Sequence, residues 1–500
     1  MSARQLIIAH DLGTSGDKAS LHAADGRLLA SHTVRYGTDF GPGGTAEQDP
    51  REWWSAFCAA TRRLLSETGS AAGEIACVAM SGQMQSLVLV DDRDEPLRPA
   101  IIWADTRAGA ERDLLAQRVG DDRAFEILGH RLDPSYTLAK AMWVRAHEPE
   151  LFARADGILV AKDYLTLCAT GRRCTDPSDA SGTNAFDQRA GRWSAELLAA
   201  AELDGALLPE LLPSATVAGG LTHAAAGATG LRPGTPVVIG GGDGACAALG
   251  AGLVGPDSGA NATIGSSAWL SVVTEAPVRD RLQRTVTFDH VIPGRYLPLG
   301  AMQAAGSSLD WLAGTLGVAP GAELQDLLTA AGEIRAADEG LFFLPYLLGE
   351  RAPLWDARAR GTFVGLARHH GRAHLARAVL EGVAFSLGAI LRSLAEVLPA
   401  GRSIQVIEAI GGGARSDIWL ALMADTWGVT VRRRTIVDEA NSLGAAVVGG
   451  VAVGLIDGWE RARALSEIDA VFEPDPARHA RASDSAERFT DLYERLRTWF

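Results

Sequence analysis

The sequence predicts an α/β protein of two duplicated domains facing each other across a cleft, on three observations. Its 500 residues are too many for one typical core, so two large domains are expected. A Gly/Ser/Thr turn occurs twice, half a chain apart: Gly13-Thr14-Ser15 and Gly265-Ser266-Ser267. Each copy lies between β-prone apolar residues and reads as strand, tight turn, strand. Between them, Val237-Val238-Ile239-Gly240-Gly241-Gly242-Asp243-Gly244 sets one carboxylate among glycines on a strand-to-helix turn.

The elements follow in order. Strands are expected over 6–9 and 19–22, with Asp25-Gly26 as a hairpin turn. Asp49 is placed to cap a helix over 52–66, with Pro50 at its first position. Further strands fall at 75–80, 86–90 and 99–103, and 105–215 reads as mainly helical. A Gly-, Pro- and Asp-rich segment at 250–259 divides the chain into domains 1–250 and 251–500. The second half opens with strands at 260–264 and 269–274. It continues through helices near 307–317 and 372–398 to a strand at 404–410, a Gly411-Gly412-Gly413 turn and a closing amphipathic helix over 483–500. The repeat spacing of half a chain points to domain duplication, not to a solenoid.

Composition narrows the class. The net charge of −14 argues against a nucleic-acid-coating surface, and the apolar fraction excludes a disordered chain. Five cysteines without Cys-x-x-Cys spacing argue against a zinc or disulfide framework and for a reducing cytoplasm. No signal peptide is expected, nor an uninterrupted apolar run of bilayer length. Only three of the 47 basic residues are lysines: Lys18, Lys140 and Lys162. Lys18 follows the first turn, where a compact point charge would meet a phosphate.

The motifs carry a consistent chemistry. Two facing turns would aim backbone N–H groups and hydroxyls at one phosphate chain, which makes Gly13, Thr14, Ser15, Lys18, Gly265, Ser266 and Ser267 the candidate phosphate ligands. Asp11 suits Mg²⁺, an oxygen-seeking ion that keeps part of its water shell. Thr263 stands where the first copy has Asp11, so only one copy would serve the metal. Asp243 is the candidate base for a hydroxyl attacking a phosphoryl group, and the second carboxylate on the metal side. Its rival role is a helix cap; three preceding glycines favour close ligand approach. Gly412 and Gly413 would let a flat ring or ribose near the backbone, against the alternative of an unliganded tight turn. Gln83, Met84, Gln85, Trp103 and Asp105, at two strand ends, offer the amides, carboxylate and indole that a polyhydroxylated substrate wants. Trp103 has an equal reading as core, and Asp105 is the stronger candidate. Together these parts point to a kinase clamping ATP between two related domains. Gly250-Ala251-Gly252-Leu253-Val254-Gly255 fits a dinucleotide pattern literally but ends a helix instead of following a strand. His369, His370 and His374 read as a solvated surface, not a metal site.

At this point the chain resembles the FGGY carbohydrate kinases essentially end to end. The resemblance rests on Asp11 to Ser15, Ser81-Gly82-Gln83-Met84, Lys162-Asp163-Tyr164, Ser178 to Thr183 and Gly240 to Gly244. It continues through Pro345 to Arg351, Gly361 to Leu366, Leu380-Glu381-Gly382 and Gly411 to Ser416. The stretch from Gly361 to Glu381 fits the family's C-terminal pattern position by position; that from Ser135 to His147 fits its N-terminal pattern less well, at Ala141 and Ala146. The resemblance implies the actin/hexokinase-like, ribonuclease H-type ATPase fold, MgATP as donor, and two domains closing on a sugar. It implies Asp243 as base, Asp11 at metal and phosphates, Gly412, Gly413 and Asn441 near the adenosine, and Met84 and Asp105 at the sugar. A homodimer is common among such kinases, and no membrane or nucleic-acid partner is implied. Within the family the chain is most similar to the xylulose-phosphorylating branch, whose members usually read Gln-Met-His where this chain has Gln83-Met84-Gln85. The segments Trp103 to Arg107 and Gly349 to Leu354 resemble the gluconate branch, and Met302 to Ser308 leans back toward xylulose. The expected reaction is transfer to O5 of D-xylulose, with gluconate or another pentulose or polyol as the alternative. A different class, an actin-like nucleotide switch without sugar chemistry, shares the same fold.

Overall fold

The computed structural model describes residues 5–500, and two large mixed sheets dominate it. The first contains β1 (Leu6–Leu12), β2 (Gly16–Ala23), β3 (Leu28–Arg35), β4 (Ile75–Gly82), β5 (Val217–Gly220) and β6 (Pro236–Gly242), in the order β5-β6-β4-β1-β2-β3. The second contains β7 (Ala260–Ile264), β8 (Ala268–Val272), β9 (Val286–Asp289), β10 (Tyr296–Met302), β11 (Val406–Ile410), β12 (Thr430–Arg434) and β13 (Ile468–Phe472). Its order is β9-β10-β8-β7-β11-β12-β13. Written from the other edge, the second sheet repeats the first and adds β9. The pairings agree as well. β1 runs antiparallel to β2 and parallel to β4, as β7 runs antiparallel to β8 and parallel to β11.

The helices repeat in step. Helix α1 (Pro50–Thr68) precedes β4, capped by Asp49, whose side chain accepts the Arg51 N–H, with Pro50 at its first position. Helices α2 (Thr137–His147) and α3 (Ala161–Thr170) follow in the long insertion between β4 and β6, and α4 (Asp243–Gly250) leaves β6. In the second half α5 (Arg372–Val397) precedes β11, α6 (Asp417–Trp427) follows it, and α7 (Ala440–Ala452) leaves β12. The closing helix α8 spans Pro476–Leu496, starting before the expected residue 483 because Asp475 caps it and Pro476 opens it. Helix α5 is long and apolar enough to cross a membrane by length and composition, but most of it is buried inside the protein.

Helix α7 crosses to the first half, and α4, whose Ala245, Cys246 and Leu249 stay on the first sheet, reaches the second half with its other face. Although α7 belongs to the second half, it packs on β1, β4 and β6 of the first sheet. There Ala445, Ala446, Val447 and Val448 join Ile7, Ala9, Cys77, Ala79 and Val238 in one buried cluster. Ala247, Ala248 and Ala251, at the end of α4, join Val273, Leu297 and Ile410 of the second half. The two helices touch backbone to backbone. A Cβ on Gly444 would lie 2.0 Å from the Cys246 carbonyl oxygen, and one on Gly250 would lie 1.9 Å from that of Ala440. Only glycine allows that approach.

Candidate active site

The two duplicated turns lie where β1 and β7 end, in the cleft between the sheets. In the first, the Gly13 N–H donates to the Gly16 carbonyl at 3.0 Å, and a set of side chains braces the loop from below. Tyr36 donates its hydroxyl to the Gly13 carbonyl, Gln48 donates to the Thr14 carbonyl at 2.7 Å, and the Trp103 indole donates to Thr14 Oγ1 at 2.8 Å. In the second, the Gly265 N–H donates to the Ser267 carbonyl at 2.8 Å, and the N–H groups of Ala305, Gly306 and Ser307 hold the Gly265 and Ser266 carbonyls. With their carbonyls tied back in this way, both loops are held rigid.

Sequence register makes the first turn chemically distinct. Asp11 lies opposite Lys18 across the hairpin and beside Ser81 of β4. Ser81 Oγ donates to Asp11 Oδ1 at 2.9 Å, and Asn441 Nδ2, at the start of α7, donates to the same oxygen at 3.4 Å. Burial raises the Asp11 carboxyl above its ordinary range, while Ser81 and Lys18 oppose the shift. The Lys18 amine donates to the Asp438 carbonyl at 2.7 Å and so joins the two halves beside the turn. That bond uses one of the three N–H donors of its ammonium.

Asp243 opens α4 but makes no cap bond to the later turns of that helix; its Oδ1 accepts only the adjoining Gly244 N–H, at 2.8 Å. Burial first, and the Asp11 charge second, push its carboxyl up to about 7. Two acids that resist ionising together suit a divalent cation, which relieves their repulsion. By that test the site fits Mg²⁺. The glycines before Asp243 have a different reason from the one expected. A Cβ on Gly240 would lie 1.6 Å from the Met80 carbonyl oxygen, on Gly241 2.3 Å from Val291 Cγ1, and on Gly242 2.8 Å from the Met84 side chain. They fit β6 tightly against protein. Gly244 alone in this run would have open space about its Cβ. The later run divides the same way: Gly411 and Gly413 pack on Ile264, and Gly412 faces open space.

Asp243 and Gly244 border a cavity of about 190 Å³ between the halves. From the first half Met84, Gln85, Trp103 and Ser178 line it, and from the second Ser267, Trp269, Phe288, Asp289, Gln303 and Arg351. A smaller recess of about 60 Å³ shares Gln85 and Arg351 and continues to Arg131, Asp133, Tyr136 and Trp355. Flat indole faces beside amides, a hydroxyl, a guanidinium and carboxylates can bind a polyol. Met84, Gln85, Trp103, Asp243 and Ser267 therefore meet as expected. Gln83 and Asp105 do not reach the cavity. Gln83 is buried under the first turn, donating to Gln48 Oε1 at 3.0 Å and to the Gly13 carbonyl at 3.5 Å. Asp105 is fully buried, where it accepts the Ala46 N–H at 2.6 Å and pairs with Arg107 at 2.6 Å. An internal guanidinium one turn away claims this carboxylate, and Trp103 takes the cavity position. Asp289 carried no signal in the sequence, whereas Gln303 and Arg351 lie in the two second-half segments whose resemblance bears on substrate, without having been assigned a sugar contact. Glu350 accepts the N–H groups of Gln303 and Arg351 on one oxygen, at 3.0 and 2.7 Å.

The histidine group resolves on tautomers. His370 and His374 accept backbone N–H groups on Nδ1, so each neutral ring carries its proton on Nε2, which faces Glu339 at 3.6 and 3.8 Å. A zinc ion would need those Nε2 lone pairs, so the group reads as three imidazoles around a carboxylate. All five cysteines are free.

Two sheets of repeated topology, a phosphate-sized turn on each and a carboxylate at the cleft define a sugar-kinase architecture, and the chain belongs to the FGGY family of carbohydrate kinases. The N-terminal domain model of that family matches residues 6–250 and the C-terminal model residues 260–453. A xylulose kinase of Escherichia coli is 35% identical over 98% of this chain and 99% of its own length. The crystal structure of xylulose kinase from Rhodospirillum rubrum superposes with a TM-score of 0.90 at 31% identity, covering 99% of each chain. That of gluconate kinase from Lactobacillus acidophilus gives 0.92 at 27% identity over 99% of this chain and 98% of its own. The fold is the actin/hexokinase-like one that the resemblance implied, and the protein is a sugar kinase using ATP.

Proposed function

We propose that the chain phosphorylates a ketopentose, D-xylulose at O5, with Asp243 as general base. The observation that carries this reading is the Asp243 carboxyl, raised to about 7, on the wall of a cavity lined by Met84 and Gln85. Asp243 accepts the proton of the attacking hydroxyl as the new O–P bond forms and ADP leaves, a task suited to a group titrating near the working pH. Bound MgATP supplies the phosphoryl group and the metal charge. Gly13 and Gly265 shape the two turns, the N–H groups and hydroxyls of Thr14, Ser15, Ser266 and Ser267 hold the phosphates, Asp11 orients the metal side, and Gly412 and Asn441 border the adenosine. Met84 packs on the sugar chain, and Gln85, Trp103 and Arg351 face its hydroxyls. The catalytic parts divide at residue 250: sugar site and base before it, second phosphate turn and adenosine site after it. A cytoplasmic homodimer independent of nucleic acid and membrane completes the reading, in keeping with the −14 charge and the cysteine usage.

Gluconate is the second reading, favoured by the gluconate kinase likeness and by Arg351 at the junction of cavity and recess. ADP release with MgATP against D-xylulose, D-ribulose, L-ribulose, L-xylulose, gluconate, glycerol and pentitols decides between them. Selective turnover of D-xylulose is expected; preference for gluconate moves the substrate and keeps the base.

A further inference from the structure

Lys140 is fully buried on α2 and lies outside the chemistry described so far. Its amine donates to the Gln85 carbonyl at 2.9 Å and to the Ile102 carbonyl at 2.7 Å. Those carbonyls belong to the two strand-end segments that deliver Gln85 and Trp103 to the cavity. Gln85 has φ 67°, a left-handed backbone that side-chain-bearing residues adopt only when their surroundings enforce it. A second bond from the same helix, Thr137 Oγ1 to the Ser86 carbonyl at 3.0 Å, pins the next residue. Burial pushes its amine down to about 7; Asp105 and Asp133 favour the ammonium, whereas Arg107 and Arg351 oppose it. No carboxylate pairs with it directly among the described residues. Both carbonyl bonds survive loss of a proton, since a neutral amine keeps two N–H donors.

We infer that Lys140 is a positioning residue for sugar recognition: by tying the Gln85 and Ile102 carbonyls it holds Gln85 in its left-handed conformation and Trp103 at the cavity wall. A merely structural lysine would affect stability and both substrates alike. This one acts chiefly on the sugar side: Gln85 touches neither ATP-facing turn, and the prop that Trp103 gives Thr14 is backed by Tyr36 and Gln48. The kinetic arm rests on the substrate reading above; the structural arm does not.

The test is Lys140→Met in the full-length chain, with D-xylulose as the sugar probe. The KM for sugar should rise roughly 10- to 100-fold, the scale that small misplacements of a binding group produce, while the KM for ATP stays within about twofold. A crystal structure of the variant should show Gln85 out of the left-handed region. In Lys140→Met/Gln85→Gly the backbone should return there, because glycine adopts it without strain. If Lys140→Met does not fold, Lys140→Arg, which keeps donors but places them differently, should give the same split at smaller amplitude. Equal shifts in both KM values, or an unmoved Gln85 in the crystal, would overturn the assignment. If wild-type protein ignores D-xylulose, the substrate reading fails and the Gln85 conformation still decides the role of Lys140.

Discussion

The two duplicated Gly/Ser/Thr turns share topology and differ in what register sets at their bases. In the first hairpin Asp11 lies opposite Lys18; in the second Thr263 lies opposite Trp269. One pair joins residues of opposite charge, the other is uncharged. The first turn is propped by Tyr36, Gln48 and Trp103 side chains, the second by backbone N–H groups at the start of a helix. Duplication thus kept the turn twice and the charged pair once, so the role proposed for Asp11 has no counterpart in the second half.

That asymmetry can be broken from either side. Asp243→Asn should lower kcat by roughly 10²- to 10⁴-fold, the range for loss of a general base, with sugar and ATP binding still measurable by calorimetry; near-normal turnover would remove Asp243 from the role. Asp11→Asn should cost roughly 100-fold in kcat and raise the Mg²⁺ requirement. Its counterpart Thr263→Ala should stay within about threefold. Equal losses from the two would erase the distinction. In the wild type, kcat/KM for sugar should fall about tenfold per pH unit below about 7, since the base must be ionised. A flat profile down to pH 5 would contradict the raised carboxyl. Gly306→Ala would bring a Cβ to 2.6 Å from the Gly265 carbonyl oxygen and shift the second turn alone. The KM for ATP should rise about tenfold while the KM for sugar holds.

The smallest effect concerns stability. An Asp carboxyl whose folded value, about 7, lies above its ordinary 3.8 costs the folded state nothing at low pH. The cost grows between those values and is constant above them. Asp243→Asn should therefore melt a few degrees higher than wild type at pH 8 and show no advantage near pH 4. Thermal melts at the two pH values check the sign.

Local pattern made part of this legible. The Asp49-Pro50 start of α1, both hairpins and the carboxylate that follows β6 follow from turn and cap chemistry within a few residues. Trp103, Met84 and Gln85 were found because a strand end must deliver its next residues to the cleft. Gln83 and Asp105 obey the same local rule and miss the cavity, because Gln48 and Arg107 claim their polar atoms, and neither partnership follows from strand-end position. The glycines before Asp243 suggest ligand approach from sequence, yet their nearest neighbours are Met80, Val291 and Met84, which only the folded chain brings near. Asp289, Gln303 and Arg351 depend on closure of one half upon the other.

The crossing of α7 onto the first sheet has a consequence for inheritance. Ile7, Ala9, Cys77 and Ala79 near the start of the chain are fully buried in a cluster completed by Ala445 to Val448. A premature stop codon near residue 430 would remove no residue of the first sheet, yet would strip its cover and leave that apolar face to water. The same dependence resists fission of the gene at 250–259: the upstream product would lack the lid of its own core. The two duplicated halves are, in this chain, a single unit of selection.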